Sequence, residues 1–320
     1  MKPVLKRIAL LSLLSLANCQ PADAPDKEIQ IRQKVTTPPS RQTLTILPEF
    51  FNCVRKSGGL VLASHRAGPA PSYPENALET LIYGHSKGIY VHEIDVAASK
   101  DGVLFLMHDR TLERTTTGSG AVKDTPWAEV QKLSLVDEAG VVTRFSPPAL
   151  SAVLDWAKSA GAIVELDLKP GTDLAAIILH IREAGADNHV IIITYTDAQA
   201  LEVARLAPDL MLTATINSFA HQTRLEAGGL NPDKVIAWTG TRAPDRDVFT
   251  ALAARGIETA FGTLGRPGVR LDDLYWADGD PSEYQDLAES DLTLLATDAV
   301  YKVADALSRD DTVRAFCPLP

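Results

Sequence analysis

The chain has 320 residues, enough for one large domain or two ordinary ones with a sizeable core. Its formal net charge of -10 at pH 7 argues against a nucleic acid as partner and against tight binding to an acidic membrane surface, because both are polyanions. A ligand that carries a phosphate would therefore need a local cationic site.

The first 19 residues have the pattern of an export signal. Basic residues precede the apolar run 8–17, which is too short to span a bilayer but has the length of a signal-peptide core. Residues 16–19, Leu-Ala-Asn-Cys, resemble a bacterial lipobox, although Asn18 is unusual at its position. We therefore predict export, to the periplasm or to a membrane as a lipoprotein anchored through Cys19. Ordinary cleavage nearby, with Cys19 lost, is the alternative.

Residues 20–45 are rich in Pro, Asp, Gln and Thr and lack an apolar period, which predicts a flexible tether before a folded domain at 46–320. Cys53 lies just before the first predicted strand of that domain, and Cys317 lies after the last. Export favours the oxidation of such cysteines. A disulfide that joins the two ends and a pair of free thiols both remain open.

Apolar runs typical of strands alternate with amphipathic segments from Leu60 onward. The eight predicted strands are 60–64, 90–96, 163–168, 190–195, 210–216, 234–238, 257–261 and 292–297. The predicted helices, each marked by capping or stop residues, are 75–87, 148–159, 173–184, 197–206 and 245–255. This alternation indicates a parallel sheet covered by helices. Eight units favour an α/β fold of the closed (β/α)8 TIM barrel type over an open sheet.

Two acids and a histidine come together around the second predicted strand. Glu93 and Asp95 lie two residues apart, so their carboxylates share one face of the strand, about 7 Å apart along the backbone, and can hold one cation. His108 follows the turn 99–102, which can join antiparallel strands but is too short for a parallel crossover. We therefore predict an inserted hairpin strand that returns the His108 imidazole to the two acids.

Further polar residues lie where other predicted strands end. His65 and Arg66 end the first strand, and Glu165, Asp167 and Lys169 share one face at the end of the third. The active site of a barrel lies at these carboxyl ends, so all these residues should reach one rim.

The residue types at this rim suit phosphodiester chemistry. Carboxylates form a hard oxygen site for one divalent cation, Mg²⁺ or Ca²⁺. Arg66 and Lys169 would provide the cationic phosphate-binding site that the net charge does not. His65 and His108 can exchange protons near neutral pH.

The order and spacing of these motifs resemble the opening block of the glycerophosphodiester phosphodiesterase family. The motifs are His65-Arg66-Ala67, Pro74-Glu75-Asn76, Glu93-x-Asp95, Asp101-Gly102, His108-Asp109 and Leu112-x-Arg114-Thr115-Thr116-x-Gly118. The resemblance covers roughly residues 60–303. It departs at Ala67, where the family usually has Gly, and at 259–262, which lacks the family's Trp/Tyr-Thr-x-Asn.

The resemblance implies a single TIM-barrel domain with a short hairpin and an excursion over 109–148 after strand 2. It also implies metal-dependent hydrolysis of a small glycerophosphodiester to glycerol 3-phosphate and an alcohol. His65 and His108 would be the acid and base, in an order that the sequence leaves open. The family's third metal ligand falls on Asp167, with Glu165 as the alternative.

Other activities remain open on the same fold: lysophospholipase D-like hydrolysis, cleavage of sugar or inositol phosphodiesters, and an inactive surface binding protein. Glu75 and Asn76 are interpreted as the start of a helix, with support of the site as a second possibility. Asp109 either orients His108 or caps a turn. His92 alternates with Glu93 and is predicted to face the helix layer.

Overall fold

The computed structural model of the protein describes residues 46–307 and 317–320. The predicted signal segment, Cys19 and the predicted tether 20–45 lie outside the described residues. The strands are β1 Val61–Ser64, β2 Val91–Ala98, β3 Leu104–Leu106, β4 Ile163–Leu168, β5 Val190–Ile193, β6 Met211–Thr215, β7 Val235–Trp238, β8 Glu258–Gly262 and β9 Leu294–Thr297.

Helices connect most of these strands. They are α1 Leu47–Ser57, α2 Leu78–Ser86, α3 Trp127–Val130, α4 Leu150–Ala160, α5 Leu174–Ala184, α6 Asp197–Leu206, α7 Phe219–Ala227, α8 Arg246–Ala253, α9 Leu271–Tyr275, α10 Ser282–Ala288 and α11 Val300–Ala306. In the part of the chain that the structure describes, no helix has the length and apolarity that a membrane span requires.

Eight parallel strands close into a barrel. The sheet order is β1-β9-β8-β7-β6-β5-β4-β2-β3, and the additional pairing of β1 with β2 completes the ring. β3 is antiparallel to β2 and lies outside the ring, as the short turn 99–102 predicted. The (β/α)8 TIM barrel with an inserted hairpin is therefore confirmed. Every predicted strand is present within two residues at either end.

The side chains that point into the barrel are apolar at the amino-terminal end of the strands and polar at the carboxyl end. Residues near the strand starts, among them Val91, Ile163 and Ile191, form a buried cluster at the amino-terminal end. Helix α1 fills that end with Leu47, Phe50, Phe51 and Val54. Apolar residues at i, i+3, i+4 and i+7 would have predicted this helix, which sequence reasoning did not identify. Polar side chains remain for the carboxyl end.

Cys53 and Cys317 form a disulfide. Of the two alternatives that the sequence left open, the structure therefore shows the disulfide and not the pair of free thiols. The bond joins α1 to the C-terminal segment, with a Cα–Cα distance of 5.7 Å. Cys317 is buried and packs with the apolar cluster that α1 fills. The disulfide therefore fastens both ends of the domain at the barrel end remote from the polar residues.

His92 faces away from Glu93, as the strand period predicted. Its ring is fully buried, with Nδ1 2.8 Å from Ser64 Oγ and the ring centroid 5.9 Å from that of Trp156 on α4. Burial lowers the pKa of His92 to about 3 from an ordinary value of 6.5. His92 is therefore a neutral structural residue between the barrel and the helices.

Replacing both Cys53 and Cys317 by Ser is expected to lower the free energy of unfolding by about 2–5 kcal/mol, because the bond restricts the unfolded chain across 264 residues. Urea unfolding with and without reductant measures the effect. Reductant should bring the wild-type curve to that of the double variant and leave the variant unchanged. A wild-type curve that does not respond to full reduction would contradict the prediction.

Acidification is expected to destabilise the fold through His92. The unfolded chain takes up a proton at this residue near pH 6.5, whereas the folded protein does so only near pH 3, so stability falls as the pH drops through this window. From pH 6.5 to about pH 5 the loss is about 2 kcal/mol. Urea unfolding should show a smaller loss in His92→Leu, with His180→Gln on α5 as the control. Equal losses in wild type and His92→Leu would refute the assignment.

Candidate active site

Glu93, Asp95 and Asp167 bring their carboxylates together inside the carboxyl end of the barrel. The parallel ladder between β2 and β4 pairs Asp95 with Asp167. One carboxylate oxygen of each residue lies within 4.8 Å of the other two, and all three residues are buried. Glu165 pairs with Glu93 and is not part of this triad. The structure thus assembles the three acids that sequence reasoning favoured.

The triad concentrates negative charge in a buried place. Lys169 Nζ contacts Asp95 and lies 2.6 Å from Asp167 Oδ2. Burial opposes the charge on Lys169, but these two carboxylates raise its pKa overall. Burial and the charges of Asp95 and Asp167 raise the pKa of Glu93 well above its ordinary value. A divalent cation would relieve this repulsion, and the three hard oxygen donors fit Mg²⁺ or Ca²⁺.

His65 lies between the triad and the carboxylate of Asp298, the residue that follows β9. Its Nδ1 is 2.6 Å from Asp298 Oδ1, and its Nε2 is 4.0 Å from Glu93 Oε2. Asp298 Oδ2 accepts hydrogen bonds from Arg270 at 2.8 Å and from the backbone N–H of Gly265 at 3.0 Å. Burial raises the pKa of Asp298, but the hydrogen bond and charge of His65, the Gly265 N–H and the charge of Arg270 together outweigh burial and lower this pKa to about 2. Asp298 therefore stays ionised and fixes the ring through Nδ1.

His108 has the same arrangement on the other side of the site. Its Nδ1 is 2.7 Å from Asp109 Oδ1, so of the two interpretations of Asp109 the contact with His108 is the one observed. Arg114 donates to both oxygens of Asp109, at 2.7 and 2.9 Å, and lowers its pKa far below the usual range. Arg66 donates to His108 Nε2 at 2.7 Å. Each histidine thus has a carboxylate on Nδ1 that an arginine holds in turn.

The turn after β1 is strained and aims Arg66 into the site. Arg66 has a φ of 50°, its backbone N–H donates to Glu93 Oε2 at 2.7 Å, and its guanidinium lies 3.9 Å from Asp95. Ala67, where the family resemblance leads us to expect Gly, has a φ of 71°. Left-handed conformations cost about 1–2 kcal/mol per residue and persist where their surroundings enforce them.

Glu75 and Asn76 do not begin a helix, so that interpretation was wrong. Helix α2 begins two residues after Asn76, whose φ of 57° is left-handed. Asn76 Nδ2 donates to Asp95 Oδ2 at 2.6 Å, and its Oδ1 accepts the Asp95 backbone N–H at 2.9 Å. Glu75 accepts two hydrogen bonds from Arg114, both at 2.8 Å, and one from Arg66. Both residues instead hold parts of the site in place.

Tyr195 is a site residue that sequence reasoning missed. It follows β5 on the same face as Ile193, so strand period would have placed it at the rim. Burial and the nearby carboxylate of Asp167 raise the pKa of Tyr195, while the residue as a whole is 62% exposed. A cavity of 740 Å³ lies beside it, with Asp167 and Lys169 also in its wall. This volume is within the range of small-molecule sites.

Comparisons with known proteins agree with this geometry. The sequence model of the glycerophosphoryl diester phosphodiesterase family matches residues 65–225, just over half of the chain. A glycerophosphodiester phosphodiesterase from Caldanaerobacter subterraneus subsp. tengcongensis is 30% identical over 230 residues, which cover 62% of this chain and 93% of that protein. Mouse glycerophosphodiester phosphodiesterase 1 is 29% identical over 144 residues, covering 44% of this chain and 41% of its own length.

A solved structure shows the same fold at a comparable level of identity. The glycerophosphoryl diester phosphodiesterase from Parabacteroides distasonis ATCC 8503 is 26% identical, with a TM-score of 0.71, and the match covers 82% of this chain and 92% of that one. Sequence and fold thus agree with the motifs at the barrel rim. The chain belongs to the glycerophosphoryl diester phosphodiesterase family and is a phosphoric diester hydrolase.

Proposed function

We propose that the protein hydrolyses glycerophosphodiesters to glycerol 3-phosphate and an alcohol by histidine acid-base catalysis at a metal site. The observation that supports this most directly is the convergence of a buried carboxylate triad with two imidazoles at one rim. Glu93, Asp95 and Asp167 form the triad, and His65 Nε2 lies 4.0 Å from Glu93. The family membership supports the same substrate class.

The triad is the proposed site of one divalent cation, Mg²⁺ or Ca²⁺. When bound there, such an ion neutralises a phosphodiester oxygen and lowers the pKa of a coordinated hydroxyl. Asp167 is the proposed third ligand in preference to Glu165, since its carboxylate lies with those of Glu93 and Asp95. Arg66 and Lys169 border the triad and are the proposed partners of the phosphate charge.

The histidines are proposed to divide the proton transfers. One ring removes the proton from the attacking glycerol hydroxyl, and the other gives a proton to the leaving alkoxide. Water then opens the resulting cyclic phosphate. Because Asp298 and Asp109 lie at the two Nδ1 atoms, Nε2 is the nitrogen of each ring that is proposed to exchange protons with the substrate. At His108 the substrate would take the place of Arg66, which donates to that atom in the structure. Export through residues 1–19 and lipid attachment at Cys19 stay predictions.

Removal of divalent cations is expected to lower the release of glycerol 3-phosphate from glycerophosphocholine by at least about 100-fold, because the triad would lose its counter-charge. Added Mg²⁺ or Ca²⁺ should restore it. Asp167→Asn should raise the cation concentration that gives half-maximal activity by about 10- to 100-fold, whereas Glu165→Gln should raise it less. Full turnover in chelator, or a larger effect from Glu165→Gln, would overturn the metal assignment.

His65→Gln and His108→Gln are each expected to lower kcat by about 10²–10⁴-fold, since each removes one proton-transfer group. Circular dichroism and thermal unfolding should show that both variants keep the fold. His221→Gln on α7 is the matched control and should retain wild-type turnover. Activity near wild type in either rim variant would refute the role of that histidine.

A further inference from the structure

A buried acid on α9 holds the carboxylate that contacts His65. The backbone N–H of Asp298 donates to Asp272 Oδ2 at 2.8 Å, while the Asp298 side chain reaches His65. Asp272 Oδ1 accepts hydrogen bonds from Tyr284 Oη at 2.6 Å and from Thr297 Oγ1 at 2.8 Å. Asp272 is 1% exposed. The Asp272 side chain therefore connects α9 and α10 to the end of β9 and to Asp298, the residue that follows this strand.

The chemistry of Asp272 matches its three partners. All three are donors, and an ionised carboxylate can accept from every one of them, whereas an amide would point its NH₂ group at one donor. Burial and the hydrogen bond to Asp272 raise the pKa of Tyr284, so its hydroxyl remains protonated. Arg270 pairs with Asp273 and Asp298 rather than with Asp272. The buried carboxylate is thus held by hydrogen bonds that include one from the residue next to the site.

The same segment also fixes the second oxygen of Asp298. Arg270 and the backbone N–H of Gly265 both donate to Asp298 Oδ2, and Arg270 Nε lies 3.0 Å from Asp273 Oδ1. The backbone N–H and both side-chain oxygens of Asp298 therefore have partners. This leaves the carboxylate little freedom to rotate away from His65.

We propose that Asp272 is a positioning residue: by fixing the backbone of Asp298 it sets the orientation of the His65 ring toward the triad. The inference depends on the proposed role of His65 in proton transfer. Asp272 lies outside residues 65–225, the segment that the family's sequence model matches. A shift of about 1 Å in a catalytic group can reduce turnover by about 100-fold, so a residue that never touches substrate can control the rate.

The test compares Asp272→Asn with wild type in two measurements. The first is steady-state hydrolysis of glycerophosphocholine, for which kcat should fall about 10- to 100-fold while KM stays within about twofold, because the substrate contacts are unchanged. The second is the proton that His65 Nδ1 shares with Asp298, seen by ¹H NMR downfield of the amide region and assigned by its loss in His65→Gln. This resonance should move upfield or broaden as the hydrogen bond lengthens.

Asp286→Asn is the matched control, because Asp286 is an exposed acid on α10, the helix of Tyr284. It should leave kcat and the resonance unchanged. Should Asp272→Asn fail to fold, Tyr284→Phe decides the question: it removes one donor, keeps the bond to the Asp298 backbone, and should lower kcat about two- to fivefold with a shift of the same sign. A resonance that stays in place in the folded variant, or a folded Asp272→Asn with kcat within twofold of wild type, would overturn the proposal. If wild type does not cleave the diester, the proposed function fails, while the resonance still decides the positioning role.

Discussion

The register between β2 and β4 is the constraint on which the site depends. Because Asp95 pairs with Asp167 and Glu93 with Glu165, a single alignment places four carboxylates inside the barrel. A slip of one residue would turn all the acids of one strand toward the helix layer, since strand side chains alternate. The apolar residues at the starts of the same strands oppose such a slip, because they would leave the core that α1 fills. Packing at one end of the barrel thus fixes the chemistry at the other.

Each histidine contacts a carboxylate that in turn contacts an arginine, but the two sets of residues are spaced differently along the chain. His108 and its carboxylate are neighbours in sequence, and Arg114 follows five residues later. His65 and Asp298 are 233 residues apart and meet only because β1 pairs with β9. In both cases an arginine contacts the carboxylate that lies at Nδ1 of the imidazole, so Nε2 is the ring nitrogen on the side away from that carboxylate. Closure of the barrel is therefore a requirement for one half of the acid-base pair.

Features set by local period and turn chemistry could be predicted from the sequence, and features set by distant contacts could not. Glu93, Asp95 and Asp167 followed from alternation and motif register, and the hairpin of His108 followed from the length of one turn. Nothing local to Asn76 indicated that its amide would bind Asp95 from a left-handed conformation. Asp272 likewise has no motif around it in the sequence. Its hydrogen-bond partners come from other elements, α10 and β9. These residues act through tertiary packing, which local pattern does not encode.

Ala67 shows how a departure from the family pattern can leave the site intact. Its positive φ of 71° explains why glycine is usual there, since a Cβ in this conformation costs about 1–2 kcal/mol. The methyl group is fully buried in the cluster between barrel and helices, and such burial contributes about 0.8 kcal/mol in the opposite direction. Burial therefore offsets part of this cost. Since Arg66 N–H still donates to Glu93, the alanine leaves the geometry that the chemistry uses.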